Sequence, residues 1–226
     1  MNEMVELFEK PAEQEIYLIA GWRQWADAGS ISSGLPRYLV QHLDARKIGE
    51  IKADGFYMFQ IPATHHLLRP EVRFKDGFCE EVRPRRNEFY YASDEHNRGL
   101  VIFTGEEPHM NEDLYADAFF DVMQELGVRR GVAVGGVYGS MPYDKDRNVS
   151  CTYSMRRMKM SCPNTPLSFP ITKAAPPLAP ILCIAPPCAR LSFSSSMALC
   201  RPMNLPNPPP FRRACALRTI FAPGMS

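Results

Sequence analysis

The run Ile16-Tyr17-Leu18-Ile19-Ala20, closed by Gly21-Trp22, decides how this chain folds. Apolar and β-forming residues follow one another without a polar break, which is the signature of a buried strand. Leu100 to Thr104 repeats the pattern and stops at Gly105-Glu106-Glu107-Pro108, and Gly131 to Gly136 is a third, glycine-rich strand. Helices are expected between them. Asp27 or Ser30 can cap one that runs to about Leu43, with Pro36 in its first turns if it starts near Ser32 or Ser33. Asn111 caps another, in which Leu114, Ala118, Phe119, Val122, Met123 and Leu126 recur at three and four residues and Gly127 closes the end. Strands alternating with amphipathic helices predict an α/β fold built on a largely parallel sheet flanked by helices.

Other segments add to this frame. Lys47 to Tyr57 reads as a strand interrupted around Asp54-Gly55, and Glu88 to Ala92 and Val149 to Tyr153 as short ones. Glu71 to Phe74 and Phe78 to Val82 flank Lys75-Asp76-Gly77, an Asp-Gly turn that predicts an inserted β-hairpin. No internal repeat is visible.

Composition divides the chain in two. Residues 1–159 hold 20 Lys/Arg against 25 Asp/Glu, a net charge of −5, and residues 160–226 hold 6 Lys/Arg and no acid. The second part also carries 14 of the 21 prolines, 5 of the 7 cysteines and one glycine, Gly224. Disordered tails are usually rich in Glu, Ser, Lys and Gly, so this is not their composition. Cys162, Cys183, Cys188, Cys200 and Cys215 form no C-x-x-C pair and have no histidine among them, which argues against a zinc module. A one-base frame error near Lys159 fits better. Reading each new codon across two present ones, the code permits Asp-Glu-Leu-Ser-Glu-Tyr after Lys159, and it forces Gly from Met197-Ala198 and Glu from Met203-Asn204. The domain is therefore expected to be residues 1–159, truncated, with 160–226 a non-native Pro/Cys-rich tail. Prolines lack the donor that a strand ladder needs, so that tail is expected to be disordered and without regular strands.

Function classes can be narrowed. Met1 to Pro11 is acidic without an apolar core, so no signal peptide is expected, and no stretch reaches the roughly 18 apolar residues of a membrane helix. With only Cys79 and Cys151 in the front segment, a cytoplasmic protein is expected. Its acidic balance disfavours nucleic acid despite the Arg83, Arg85 and Arg86 cluster. No G-x-S-x-G, H-E-x-x-H or Cys/His pairing appears, so no catalytic residues, metal ligands or cofactor are assigned. His65-His66 has no carboxylate or thiol near it in sequence and reads as a surface loop. The candidate ligand-binding residues are Gly21, Trp22, Asp27, Gly105 and Glu106. They lie after predicted strands, where open α/β sheets place ligands and a helix N-terminus can face an anion. Asp27 reads equally as an ordinary cap, and Glu106-Glu107 as a solvated loop beside Pro108.

Ordered blocks resemble a known family. They are Gly21-Trp22 through Asp27-Ala28-Gly29 to Leu35-Pro36-Arg37-Tyr38-Leu39, then Asp54-Gly55-Phe56-Tyr57-Met58-Phe59-Gln60, and Pro70 to Gly77. Asn87-Glu88-Phe89-Tyr90-Tyr91, Leu100 to Pro108, and Glu125 to Arg130 into Gly135-Gly136 follow. Over about residues 14–155 the set resembles the type-two proteasome assembly chaperone (PAC-two) family. The resemblance implies a fold similar to the phosphorylase/hydrolase-like α/β class, incomplete here at the C-terminus. It further implies a homo-oligomer in the intact family, and a protein-binding assembly role with proteasome subunits or a second copy as partner. The alternative is a small-molecule or nucleotide-binding enzyme of the same fold class.

Overall fold

The computed structural model describes residues 3–13, 15–58, 71–83, 85–138, 149–153, 167–168 and 192–200. The elements in chain order are β1 (Val5–Leu7), β2 (Glu15–Arg23), α1 (Ile31–His42), β3 (Arg46–Ile51), β4 (Glu71–Lys75), β5 (Phe78–Arg83), β6 (Glu88–Ser93) and β7 (Arg98–Glu106). Then come α2 (Glu112–Glu125), β8 (Val128–Tyr138), β9 (Val149–Tyr153), β10 (Leu167–Ser168) and β11 (Ser192–Cys200). One sheet runs β1-β3-β6-β7-β2-β8-β11-β9-β10, and β4-β5 forms a separate two-stranded ribbon.

The strand read first stands at the centre. β2 pairs in parallel with β7 on one side and β8 on the other. Alternate residues of β2 then share one face and serve the larger core, as the period of a strand requires. Ile16, Leu18, Ala20 and Trp22 join Tyr115, Phe119, Val122 and Met123 of α2 in the larger core, with Phe89, Val101 and Phe103. On the opposite face α1 packs Ile31 and Leu35 on Val132 and Val134 of β8, with Ala28.

The sheet is mixed, which corrects the expectation of a largely parallel one. β1/β3, β3/β6, β6/β7 and β11/β9 are antiparallel. Asp94 is the reason at β6/β7. Its carboxylate accepts from the N–H groups of His96 and Arg98 at 2.9 and 3.0 Å, an Asx turn that folds β7 back on β6. β3 ends at Ile51 rather than at Tyr57. The Asp-Gly hairpin is present, with Asp76 and Gly77 at φ 51° and 85°, both left-handed as such a turn demands.

The tail expectation is corrected in part. Ser192–Cys200 pairs with β8 over nine residues in parallel and with β9 in antiparallel register, so the place beside β8 is filled. The physical reason is local. No proline lies between Pro187 and Pro202, so every residue of that stretch keeps its N–H. His65-His66 lies outside the described residues.

Candidate functional site

The carboxyl ends of β2 and β7 lie side by side, with Trp22 level with Gly105 and Arg23 with Glu106. Four of the five candidate residues therefore meet at one place, and the fifth, Asp27, lies beyond β2 against Gly136 of β8. What each does there is specific.

Gly21 is fixed by contact. A β-carbon on it would stand 1.9 Å from the carbonyl oxygen of Ser32 and 2.8 Å from Pro36 Cγ. Pro36 sits in the second turn of α1 and supplies no N–H to the carbonyl four residues earlier, which is that of Ser32. Ser32 ties three elements: its hydroxyl donates to the Val134 carbonyl at 2.6 Å and accepts from the Trp22 N–H at 2.9 Å. Asp27 proves to be a cap. Its carboxylate accepts from the Ser33 N–H at 2.9 Å and the Ser33 hydroxyl at 2.6 Å, so an acid of the chain itself occupies the start of α1. Asn111 stands at the N-cap position of α2, but its side chain donates to the Gly55 carbonyl at 2.8 Å instead of capping.

Trp22 is buried among Phe103 and Phe119, with ring centroids 5.3 and 5.5 Å away. Its indole N–H donates to the Tyr115 hydroxyl at 3.0 Å, and that hydroxyl donates onward to Asn87 Oδ1 at 3.1 Å. Asn87 is the hub. Its Oδ1 also accepts from the Glu106 N–H at 3.2 Å, and the Tyr57 hydroxyl lies 2.8 Å from both this oxygen and the Glu106 carbonyl. The Glu106 N–H fixes which amide atom faces inward, because a donor cannot face a donor. Asn87 Nδ2 is consequently left buried with no partner among the described residues. Gly105 makes room: a β-carbon there would be 3.0 Å from Asn87 Oδ1 and 2.6 Å from the Phe103 ring.

Two charged groups of this corner pair with each other. Arg85 Nη1 meets the Glu106 carboxylate, with side-chain exposures of 8% and 17%, so Glu106 is not a solvated loop residue. The same guanidinium lies 5.2 Å from the centre of the Tyr57 ring. Burial pushes Arg85 below its usual value, and pushes the Tyr57 and Tyr115 hydroxyls well above theirs. His109 completes the corner. Its Nδ1 accepts from the Met58 N–H at 3.2 Å, which leaves Nε2–H to donate to Gln24 Oε1 at 3.1 Å. Burial, then the nearby Arg85 charge, lowers its pKa and holds it neutral. Gln24 itself has φ 117°, a strained backbone for a residue with a β-carbon. The next residue, Trp25, is 70% exposed, and its N–H donates to the Glu107 carboxylate at 3.2 Å.

The sequence marks Arg85 only as part of a basic cluster and Asn87 and Tyr57 only inside family-like blocks, and it marks neither Tyr115 nor His109. Arg85 and Asn87 share the segment before β6, while Tyr57, His109 and Tyr115 come from elsewhere in the chain with no spacing that joins them to it. Only the polar Asn87 placed immediately before the β6 run could have drawn notice. Among the described residues no group of three or more His, Cys, Asp or Glu could hold a metal, and no helix is long and apolar enough to cross a membrane.

These features define a class: an α/β domain with a mixed sheet whose strand-end polar groups are tied to one another. Residues 21–168 match the model of the PAC2 family, and the chain belongs to that family. Solved structures agree in fold. The Mycobacterium tuberculosis proteasome-assembly chaperone homologue Rv2125 is 20% identical with a TM-score of 0.78, covering 92% of this chain and 84% of that one. A PAC2 family protein of Streptomyces avermitilis is 21% identical at TM-score 0.75, covering 90% and 83%. Pyrococcus furiosus PbaB, an archaeal proteasome activator, is 20% identical at TM-score 0.64, covering 88% and 81%. No curated protein sequence matches the chain.

Proposed function

We propose that this protein is a non-catalytic, protein-binding factor of the assembly-chaperone type, acting in the cytoplasm as an oligomer. The observation that carries the reading is Trp25. It stands 70% exposed directly after a strained Gln24, at the same strand ends where the polar groups are held by one another. Strain is retained where a side chain must be presented, and exposed tryptophan is the residue type most enriched at energetic centres of interfaces. Family membership supports a protein partner, since solved relatives include proteasome-assembly chaperone homologues and a proteasome activator. Proteasome subunits are the partner class to test first. Immobilised protein is expected to retain such subunits from a lysate of its source, and Trp25→Ala to lose them with unchanged melting. A wild-type protein that retains none overturns the reading.

One observation favours the second reading, a small-molecule or nucleotide binder of phosphorylase/hydrolase-like fold. Asn87, with its buried unpartnered amide donor, lines a cleft of about 470 Å³ together with Lys47, Ile51, Asp54, Arg85 and Glu88. A ligand whose acceptor group displaces the atoms covering it would satisfy that donor. Thermal-shift measurements with nucleotides and nucleosides decide it, and no shift with any of them removes it.

A further inference from the structure

The β4–β5 ribbon stands apart from the body. Every residue from Val72 to Glu80 is exposed, and among the described residues β4 pairs only with β5. A two-stranded ribbon is marginal by itself in water. This one also displays apolar side chains, Val72 at 44%, Phe74 at 66% and Val82 at 53% exposure. The register, with Val72 opposite Val82 and Phe74 opposite Cys79, puts these on one face. Arg73 and Lys75 lie on the other face, 3.7 and 3.6 Å from Glu80.

The order of residues along β4 selects an occupant for the edge that no described strand pairs with. The strand reads Glu71-Val72-Arg73-Phe74-Lys75, acid at one end, base at the other and apolar residues on either side of the centre. Laid antiparallel against itself about Arg73, the sequence is complementary. Glu71 falls opposite Lys75 of the second copy, Val72 opposite its Phe74, and the same contacts repeat through the two-fold axis. Arg73 meets its own copy at the axis, with Glu80 and the cross-strand Glu81 beside it to offset the charge. The other strand of the ribbon, β5, offers no such match, because its self-pairing would set Glu80 against Glu81.

We propose that β4 pairs with β4 of a second copy of this chain, joining two ribbons into a four-stranded antiparallel sheet across a two-fold axis. The interface is isologous, as closed dimers require. Opposite-charge and apolar cross-strand pairs supply its specificity. Five residues of strand bury less area than a permanent dimer, so association is weak and rises with concentration. The contact uses a surface other than Trp25 and stands whether or not a further protein binds there.

Sedimentation velocity of the full chain across a concentration series tests it. Lys75→Glu sets like charges opposite each other twice per dimer and is expected to raise the dissociation constant roughly tenfold or more. Glu71→Lys should do the same, and Glu71→Lys with Lys75→Glu in one chain should restore association. A monomer at every concentration, dimerisation indifferent to Lys75→Glu, or a double variant no better than the single ones would each overturn the proposal. The restoring double variant separates lost complementarity from a misfolded ribbon. Loss of partner retention by Trp25→Ala with dimerisation intact would bear on the functional reading alone.

Discussion

The carbonyl oxygen of Ser32 lies 1.9 Å from where a β-carbon on Gly21 would stand, so α1 and β2 touch backbone to backbone. Neither partner is the free end of a side chain, and relief requires moving the start of α1. Moving it would stretch the Ser32 links to Trp22 and Val134. Gly21→Ala is expected to cost about 3 kcal/mol, the upper end of ordinary overpacking. Chemical denaturation measures it, and a loss under about 1 kcal/mol would show that α1 retreats freely.

Asn87 is the second test. Replacing it with Ala strips an acceptor from the Glu106 N–H and the Tyr115 hydroxyl, while Tyr57 keeps the Glu106 carbonyl. Two buried donors without acceptors predict a loss of about 3 kcal/mol. Gln, with one more methylene, should not rescue it, because Gly105 is already the limit of space on that side. Urea denaturation of the two variants is the measurement, and a near-neutral Asn87→Ala would remove Asn87 from its place as hub.

His109 predicts a pH dependence. Its folded pKa lies below the ordinary value through burial and the Arg85 charge, so the unfolded chain binds the proton more readily. The stabilisation is complete above about pH 6.5 and is lost as pH falls from there through the lower folded value. A protonated Nδ1 would also be unable to accept from Met58. Melting temperature followed from neutral to mildly acidic pH should fall, and His109→Gln should flatten that part of the curve. An identical slope in the variant would assign the effect to other groups.

The tail provides a comparison of two chains. Frame restoration at codon 159 would replace Ser192–Ser196, for which the code permits Phe-Gln-Phe-Val-Asp, three apolar residues in place of one. β8 then keeps its neighbour but with better strand formers. DNA sequencing around that codon is expected to reveal a missing base, and the restored protein to be more soluble and melt higher. Equal solubility and melting of both forms would count against the frame error.

How much of this was legible in sequence depends on the reach of each signal. β2, β7 and α2 are legible because uninterrupted apolar runs and three-four spacing are local. The Asp76-Gly77 turn and Gly127 were read because a left-handed backbone needs particular residues. β1 was missed because three residues, Val-Glu-Leu, show no period. The antiparallel half was missed because nothing local says that β6 lies between β3 and β7. The Asn87 hub was invisible for the same reason: its partners are 19, 28 and 30 residues distant in the chain.

The insertion of β11 between β8 and β9 has a consequence for biosynthesis. When β9 leaves the ribosome, the strand that must separate it from β8 has not yet been made. At ordinary elongation rates the wait lasts on the order of several seconds. During it the long, apolar margin of β8 is open to the wrong neighbour, β9 itself or a strand from another nascent chain. Yield from cells should therefore respond to translation speed and to chaperones that hold nascent chains.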